Sequence, residues 1–388
     1  MERLSGKKKD IKKECEKVKI NIIGNFIGSD GYTAHSKGLA NALYKQADCK
    51  IMTQLQQGWE GQVNDAEFDM ITKAERKEDW NVIISIPHMW KMFLGTGKNA
   101  CYCVWEGDKV PESWIDEFLN PKIDLILVPS EHTRRAIWNT YFYMGISYNS
   151  KLSGEDLKFW NKVKIVPHGI DRSKFYKTNQ EKGDTFTFVC NKGWRGNLTD
   201  RGGVQYLLKA FAEEFSKDEK VKLRLKLNPA YINPQIVEQA FNYLGLPEDR
   251  PPIEIIPSLM NEKQLNEFYN SGDYFICPNR AESFGLPGLE AMGCGLANIQ
   301  TNYGGQTDYM TDKNSLFVDY ELGFSEEVPA YEGIKWATPK IESIRKQLRW
   351  AFENQDKIKE MGRQAEEDSK KFTWDLSAEK LYKYMMEN

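Results

Sequence analysis

Residues 280–295 read RAESFGLPGLEAMGCG and lie just after the apolar run DYFICP (273–278). Two glutamates, Glu282 and Glu290, stand there with seven residues between them, around a turn broken by Gly285, Pro287 and Gly288. A short, continuous apolar run reads as a strand buried on both faces. The segment from Arg280 is then the loop at that strand's carboxyl end. Pro287 suits the first turn of a following helix, where its missing N–H costs nothing. Gly285 and Gly288 let a ligand or another backbone come close. The free N–H groups of the helix start favour anions and hydroxyl oxygens. Glu282 sits in the loop and Glu290 in the first turns of the helix, so both acids face the loop mouth. A carboxylate placed there suits a ribose diol.

Outward from this stretch the same pattern repeats. TFTFVC from Thr185, KLRLKL from Lys222, IEIIP from Ile253, LANIQT from Leu296 and SLFVD from Ser315 read as strands. Helical runs separate most of them, and after about Pro339 the chain reads as helix to Asn388. The first half does likewise, with VKINIIGNF from Val18, WNVIISIP from Trp80, NACYCVW from Asn99, IDLILVP from Ile123 and VKIVPHG from Val163. Such alternation predicts parallel sheets with helices on both faces. The polar stretch Tyr176 to Asp184 is the linker between the two halves. Ligands of such sheets bind beyond the carboxyl ends of the strands, and a cleft between two such domains is the expected site.

Composition narrows the class. The 388 residues suit two domains. Hydrophobic residues make up 40% and charged residues 28%, an ordinary balance for a globular chain. A net charge of −3 argues against a general nucleic-acid partner. The 7 cysteines have no zinc spacing and read as reduced thiols, which predicts a cytoplasmic protein. No apolar run approaches the ~18 residues of a membrane span. The 11 tryptophans are assigned to a large aromatic core. The basic start, MERLSGKKKDIKKECEK, is read as a solvated N-terminal extension.

Taken together, the motifs resemble the family 4 glycosyltransferases, of GT-B architecture. The resembling segments are Glu282-Ser-Phe-Gly-Leu-Pro-Gly-Leu-Glu290, Gly304-Gly305, VPHGIDRSKF (166–175), DRGGVQYLLKAF (200–211) and FTWD (372–375). YCVWEGDKVPESW (102–114) and LVPSEHT (127–133) are similar to a subgroup that includes many mannosyltransferases. The resemblance implies two Rossmann-like domains facing across a cleft, with C-terminal helices crossing back. The expected division is an extension at 1–17, an acceptor-side domain at 18–172, a donor domain at 173–371 and a returning helix at 372–388.

The resemblance also implies roles: transfer of a sugar from a nucleoside-diphosphate sugar, with retention at the anomeric carbon. Glu290 would bind the ribose. Glu282 would face the transferred sugar, and the backbone of Phe284, Gly285 and Leu286 would contact its hydroxyls or the phosphate. The departing diphosphate needs cations. Arg201 takes the family's usual lysine place, Arg195 matches the preceding arginine, and Lys192 is the alternative. Gly31, in the loop GSDGYTAHSKG, is the position for close approach to the diphosphate. That loop lacks the G-x-G-x-x-G spacing of a dinucleotide site, so no NAD is expected. Glu106, then His88, are candidates for a sugar contact where many members place a histidine. The base would lie near Pro257 and Ser258. No Asp-x-Asp metal motif is found, and no metal or other cofactor is expected.

The favoured donor is GDP-mannose over a UDP-sugar, and the partners are a glycan or lipid-linked acceptor. The aromatic segments Met89 to Gly95 and Ile137 to Tyr148 leave room for peripheral contact with a membrane surface. Three departures stand out: Asp308 for the usual Glu, Arg201 for Lys and His168 for Asn. Competing readings are another GT-B enzyme, such as an epimerase or phosphorylase, and a non-catalytic nucleotide-sugar-binding subunit.

Overall fold

Buried apolar runs set the two sheets. Ile20 and Ile22 are fully buried, as are Val82, Leu127, Phe188, Leu223, Phe275 and Ile299. Strands this apolar on both faces need helices on both sides. The computed structural model describes residues 17–28, 30–53, 63–144, 153–230, 232–325 and 331–388. The predicted basic extension thus lies outside the described residues, apart from Lys17, as do residues 145–148 of one aromatic segment.

The first domain runs β1 (Lys19–Gly24), α1 (Gly31–Tyr44), β2 (Asp48–Thr53), α2 (Asp65–Thr72), β3 (Trp80–Ile84), α3 (Pro87–Trp90) and β4 (Lys98–Tyr102). It continues with α4 (Ser113–Phe118), β5 (Leu125–Val128), α5 (Glu131–Tyr143), α6 (Gly154–Lys162) and β6 (Val163–Ile165). The second domain runs β7 (Phe186–Lys192), α7 (Val204–Glu214), β8 (Val221–Leu227), α8 (Pro234–Leu244), β9 (Ile253–Pro257), α9 (Glu262–Asn270), β10 (Tyr274–Cys277) and α10 (Leu286–Gly293). Then come β11 (Asn298–Thr301), a 3-10 turn (Gly305–Asp308), β12 (Ser315–Val318), the strands β13 (Tyr320–Phe324) and β14 (Lys335–Pro339), and helices α11 (Ile341–Glu353), α12 (Gln355–Ser369) and α13 (Trp374–Glu387).

Each main sheet has six strands among the described residues, all parallel, in the orders β2-β1-β3-β4-β5-β6 and β12-β11-β10-β7-β8-β9. The sequence reading missed two features. β2 (DCKIMT) carries Lys50 in its middle, which interrupts the apolar pattern. The structure buries that lysine and pairs it with Glu75 at 2.5 Å. The antiparallel pair β13–β14 was also missed, because its outer face is exposed and it has no continuous apolar run.

The chain crosses back as the GT-B resemblance implies. Ile170 N–H donates to the Phe372 carbonyl at 3.0 Å, and α13 then packs on α1. A Cβ on Gly38 of α1 would strike the Trp374 ring, so only glycine admits that helix pair. Most tryptophans serve the core: Trp80, Trp90, Trp105, Trp114, Trp194 and Trp336 are all buried. The six described cysteines are buried and none is in a disulfide. No described helix is long and apolar enough to cross a membrane.

Candidate active site

In each sheet the strand order reverses at one place, between β1 and β3 in the first and between β7 and β10 in the second. A crevice opens at such a reversal beyond the carboxyl ends of the strands. The two carboxyl edges meet one another. Ser130 Oγ, after β5, donates to the Ser283 carbonyl after β10 at 2.7 Å. Asp308 accepts from the Glu131 N–H, at the start of α5, at 2.9 Å.

The β7 loop is built around Asp200. Its carboxylate is 5% exposed and accepts from Gly202 N–H at 2.7 Å and from Arg195 N–H at 3.1 Å. Trp194 anchors the loop in the core, and Gln205 donates to the Leu198 and Asp200 carbonyls. Gly203 then starts α7 with φ +75, and a Cβ there would collide with the Pro278 carbonyl. This frame presents Lys192 and Arg201 to the crevice, where they meet Glu282 and Glu106. Buried Arg280 ties the loop to its neighbour: it donates to Thr199 O at 2.6 Å and Ala337 O at 3.2 Å, and its N–H bonds the Arg201 carbonyl.

Across the crevice the β10 loop places Glu282 against the Lys192 ammonium as an ion pair, both side chains largely buried. Burial pushes the Lys192 pKa down. The Arg201 guanidinium adds to that lowering, while Cys277 and Asp200 oppose it. The sequence reading gave Lys192 second place to Arg195; the structure puts Lys192 on Glu282 and Arg195 in an exposed position on the loop.

The glycines of the opening stretch turn out to serve the protein's own packing. A Cβ on Gly288 would meet the Gln300 and Tyr309 side chains, and Gly285 holds φ +84 under the Tyr309 hydroxyl, which donates to its carbonyl at 2.7 Å. Phe284 is fully buried, with its ring against His168, Tyr309 and Phe372. Gly305 backs directly onto the Ser283 carbonyl. Gly305→Ala is therefore expected to displace residues 282–284 and to cost about 1–3 kcal/mol as overpacking. A thermal melt together with a donor titration checks this, and an unchanged melt with normal binding would refute it.

Glu290 accepts from the Tyr269 hydroxyl at 2.7 Å, and Tyr269 in turn accepts from Asn191 at 2.8 Å. Burial pushes the Glu290 carboxyl up to about 7, against the pull of Tyr269 and of Lys226. Tyr269, Asn191 and Lys226 carry no motif, and the sequence reading missed them.

The first domain contributes Glu106, only 6% exposed, which pairs with Arg201 and accepts from the Tyr331 hydroxyl at 2.7 Å. Glu106 thus joins the domains through two second-domain residues. Tyr331 precedes β14, and the Lys335 N–H of that strand donates to Asp108 at 2.7 Å. Beside this cluster Tyr32 is half-buried, and desolvation raises its phenol above the ordinary range. Tyr32 also lines a crevice of about 280 Å³ at the β1/β3 reversal, with Gly24, Asn25, Asp30, Ser85 and Phe93. A Cβ on Gly31 would meet nothing within 4 Å, so the start of α1 is open there. His88, just after β3, is exposed on α3 and accepts from the Trp114 indole at 3.1 Å. Pro257 and Ser258 end the edge strand β9, two strands from the reversal. Among the described residues no group of three or more His, Cys, Asp or Glu converges as metal ligands would.

Two parallel sheets meeting edge to edge, with a returning C-terminal helix, make this a GT-B fold. A glycosyltransferase from Rickettsia africae has the same fold, with a TM-score of 0.66 at 13% identity over 96% of this chain and 98% of that one. Residues 191–330 match the family described as Glycosyl transferases group 1. An alpha-maltose-1-phosphate synthase of Mycolicibacterium smegmatis is 24% identical over 231 residues, 57% of this chain and 54% of that protein. A D-inositol 3-phosphate glycosyltransferase of Pseudarthrobacter chlorophenolicus is 27% identical over 154 residues, 38% of this chain and 35% of that protein. The chain thus spans between about a third and about half of the length of these relatives.

Proposed function

We propose that this protein transfers a sugar from a nucleoside-diphosphate sugar to a hydroxyl acceptor, with retention and without a metal ion. The observation that carries the reading is the convergence of Glu282, Lys192, Arg201 and Glu106, from loops at the carboxyl ends of strands of both sheets. The donor lies along the second domain. Glu290 takes the ribose hydroxyls, the cations take the diphosphate, and Glu282 faces the sugar. The acceptor enters from the β1/β3 crevice beside Tyr32.

In the transfer, the bond from the anomeric carbon to the diphosphate oxygen breaks, and the acceptor oxygen bonds to that carbon on the same face. The acceptor's proton passes to the departing phosphate oxygen. Arg201 and Lys192 stabilise the charge growing on that oxygen, and Glu282 stabilises positive charge on the sugar. Arg201 must then exchange Glu106 for the diphosphate. The favoured mannosyl donor rests on residues 102–133 alone; neither relative above is named as a mannosyltransferase. Contact with a lipid-linked acceptor is supported by Met92, which is 65% exposed beside Phe93 on the crevice wall.

The test is calorimetric titration of UDP- and GDP-sugars, with EDTA present, on wild type and Glu290→Ala. One donor should bind wild type, and the variant should lose it. Wild-type affinity should also fall by up to about tenfold per unit as pH drops below about 7, because Glu290 then carries a proton and can no longer accept from both hydroxyls. Binding that ignores Glu290 would overturn the donor-site reading.

A further inference from the structure

A second cavity, of about 230 Å³, lies away from the cleft, where α13 crosses the open edge of the first sheet. Arg134, Lys164 and Lys380 line it, with Trp160, Tyr384 and Asn161, and no acid is among the lining residues. Three elements bring the cations together: the first turn of α5, the edge strand β6 and the face of α13 that carries Lys380 and Tyr384 four residues apart.

The cations are held in place by their aromatic walls. The Arg134 guanidinium lies over the Trp160 ring at 4.4 Å, and the Lys164 ammonium over the Tyr384 ring at 5.4 Å. Arg134 also pairs with Glu131 at 2.7 Å, yet its Nε is buried with no hydrogen-bond partner. A buried guanidinium N–H without an acceptor is costly, and an anion in the pocket would satisfy it. Lys380 is half-buried, and burial lowers its pKa while Asp308 opposes the shift. The acids nearby, Glu131, Asp308 and Glu387, stand outside the lining. Glu131 offsets Arg134 and Asp308 acts on Lys380 from outside, while the lining itself holds three cations and no acid.

We propose that this pocket binds a phosphate group, with Arg134, Lys164 and Lys380 as its ligands and Trp160 and Tyr384 as walls for the body that carries it. The size suits a phosphorylated monosaccharide, since the cavity is smaller than the ~300–1,000 Å³ of drug-sized sites. A lipid headgroup offers the same phosphate chemistry. The proposal does not depend on the donor-site reading.

The test titrates inorganic phosphate, glucose 6-phosphate and glucose into the full chain. It also measures co-flotation with phosphatidylcholine vesicles, with and without phosphatidylglycerol. Each is repeated on the double variant Lys164→Gln/Lys380→Gln. Glucose 6-phosphate should bind more tightly than phosphate, glucose should not bind, and the double variant should lose about tenfold or more in affinity, as expected for two charge-assisted bonds. Thermal melts and sugar-nucleotide titration should show the variant folded with its donor site intact. Flotation that needs phosphatidylglycerol and is lost in the variant would support the site with a headgroup as its source. Absence of binding to any phosphate species, equal binding of glucose, or phosphate affinity unchanged in the folded variant would each overturn the proposal.

Discussion

Lys192→Met is expected to lower kcat/KM by about 10²–10³-fold, the loss typical when one preorganised donor to a developing oxyanion is removed. Lys192 ends β7 at the strand-order reversal, and its ammonium touches Glu282. The variant also leaves Glu282 without its partner, and an unpaired, largely buried charge destabilises on its own account. The double variant Lys192→Met/Glu282→Gln separates the two effects. It should regain stability in a urea titration and remain inactive. Recovery of the rate along with the stability would show that the pair is structural and that the diphosphate is held by Arg195 and Arg201 alone.

Between pH 7.5 and pH 5.0 the wild type should lose about 2 kcal/mol more stability than His168→Asn, at 1.36 kcal/mol for each pH unit below 6.5. His168 packs against His35, ring centroids 4.4 Å apart, where the chain passes between domains, with Tyr102 and Trp374 around them. Both imidazoles are buried, and neither ring nitrogen of His35 has a hydrogen-bond partner. Burial pushes His168 down to about 3 and lowers His35 well below its ordinary range. The unfolded chain binds a proton at each near pH 6.5 and the folded chain does not, so stability is lost as pH falls below about 6.5. Glu290 acts with the opposite sign, because its carboxyl is raised in the fold and takes up a proton there first. The wild-type slope is the sum of these, and only its difference from His168→Asn isolates the histidine. Equal slopes in urea titrations would show that His168 is not held neutral.

Much of this could be read before any coordinates. Eleven of the twelve parallel strands, all but β2, coincide with runs read as strands from the sequence, most of them continuously apolar. Parallel strands buried on both faces leave that mark in the chain itself. The apolar run DYFICP placed the loop at a strand end and Pro287 placed a helix start after it, and the structure has both there. β2 was hidden because Lys50 is buried through a partner, Glu75, that is remote in sequence. The β13–β14 pair escaped notice because its reason lies in the other domain, at Glu106 and Asp108.

Which groups meet was a different matter. Local pattern specifies strand ends and helix starts, because backbone geometry and side-chain burial are decided within a few residues. It placed Glu282, Arg195 and Arg201 on loops and Glu290 at a helix start, all at the right edge of the sheet. It could not say that Lys192 faces Glu282, that Arg201 reaches Glu106, or that Tyr269 and Lys226 surround Glu290. Those pairings join residues between about 20 and about 95 positions apart, and their energies depend on burial that only packing creates. The glycines at 285 and 288 show the same division: their presence announced a close approach, and only the folded chain revealed that Tyr309 and Gln300 make it.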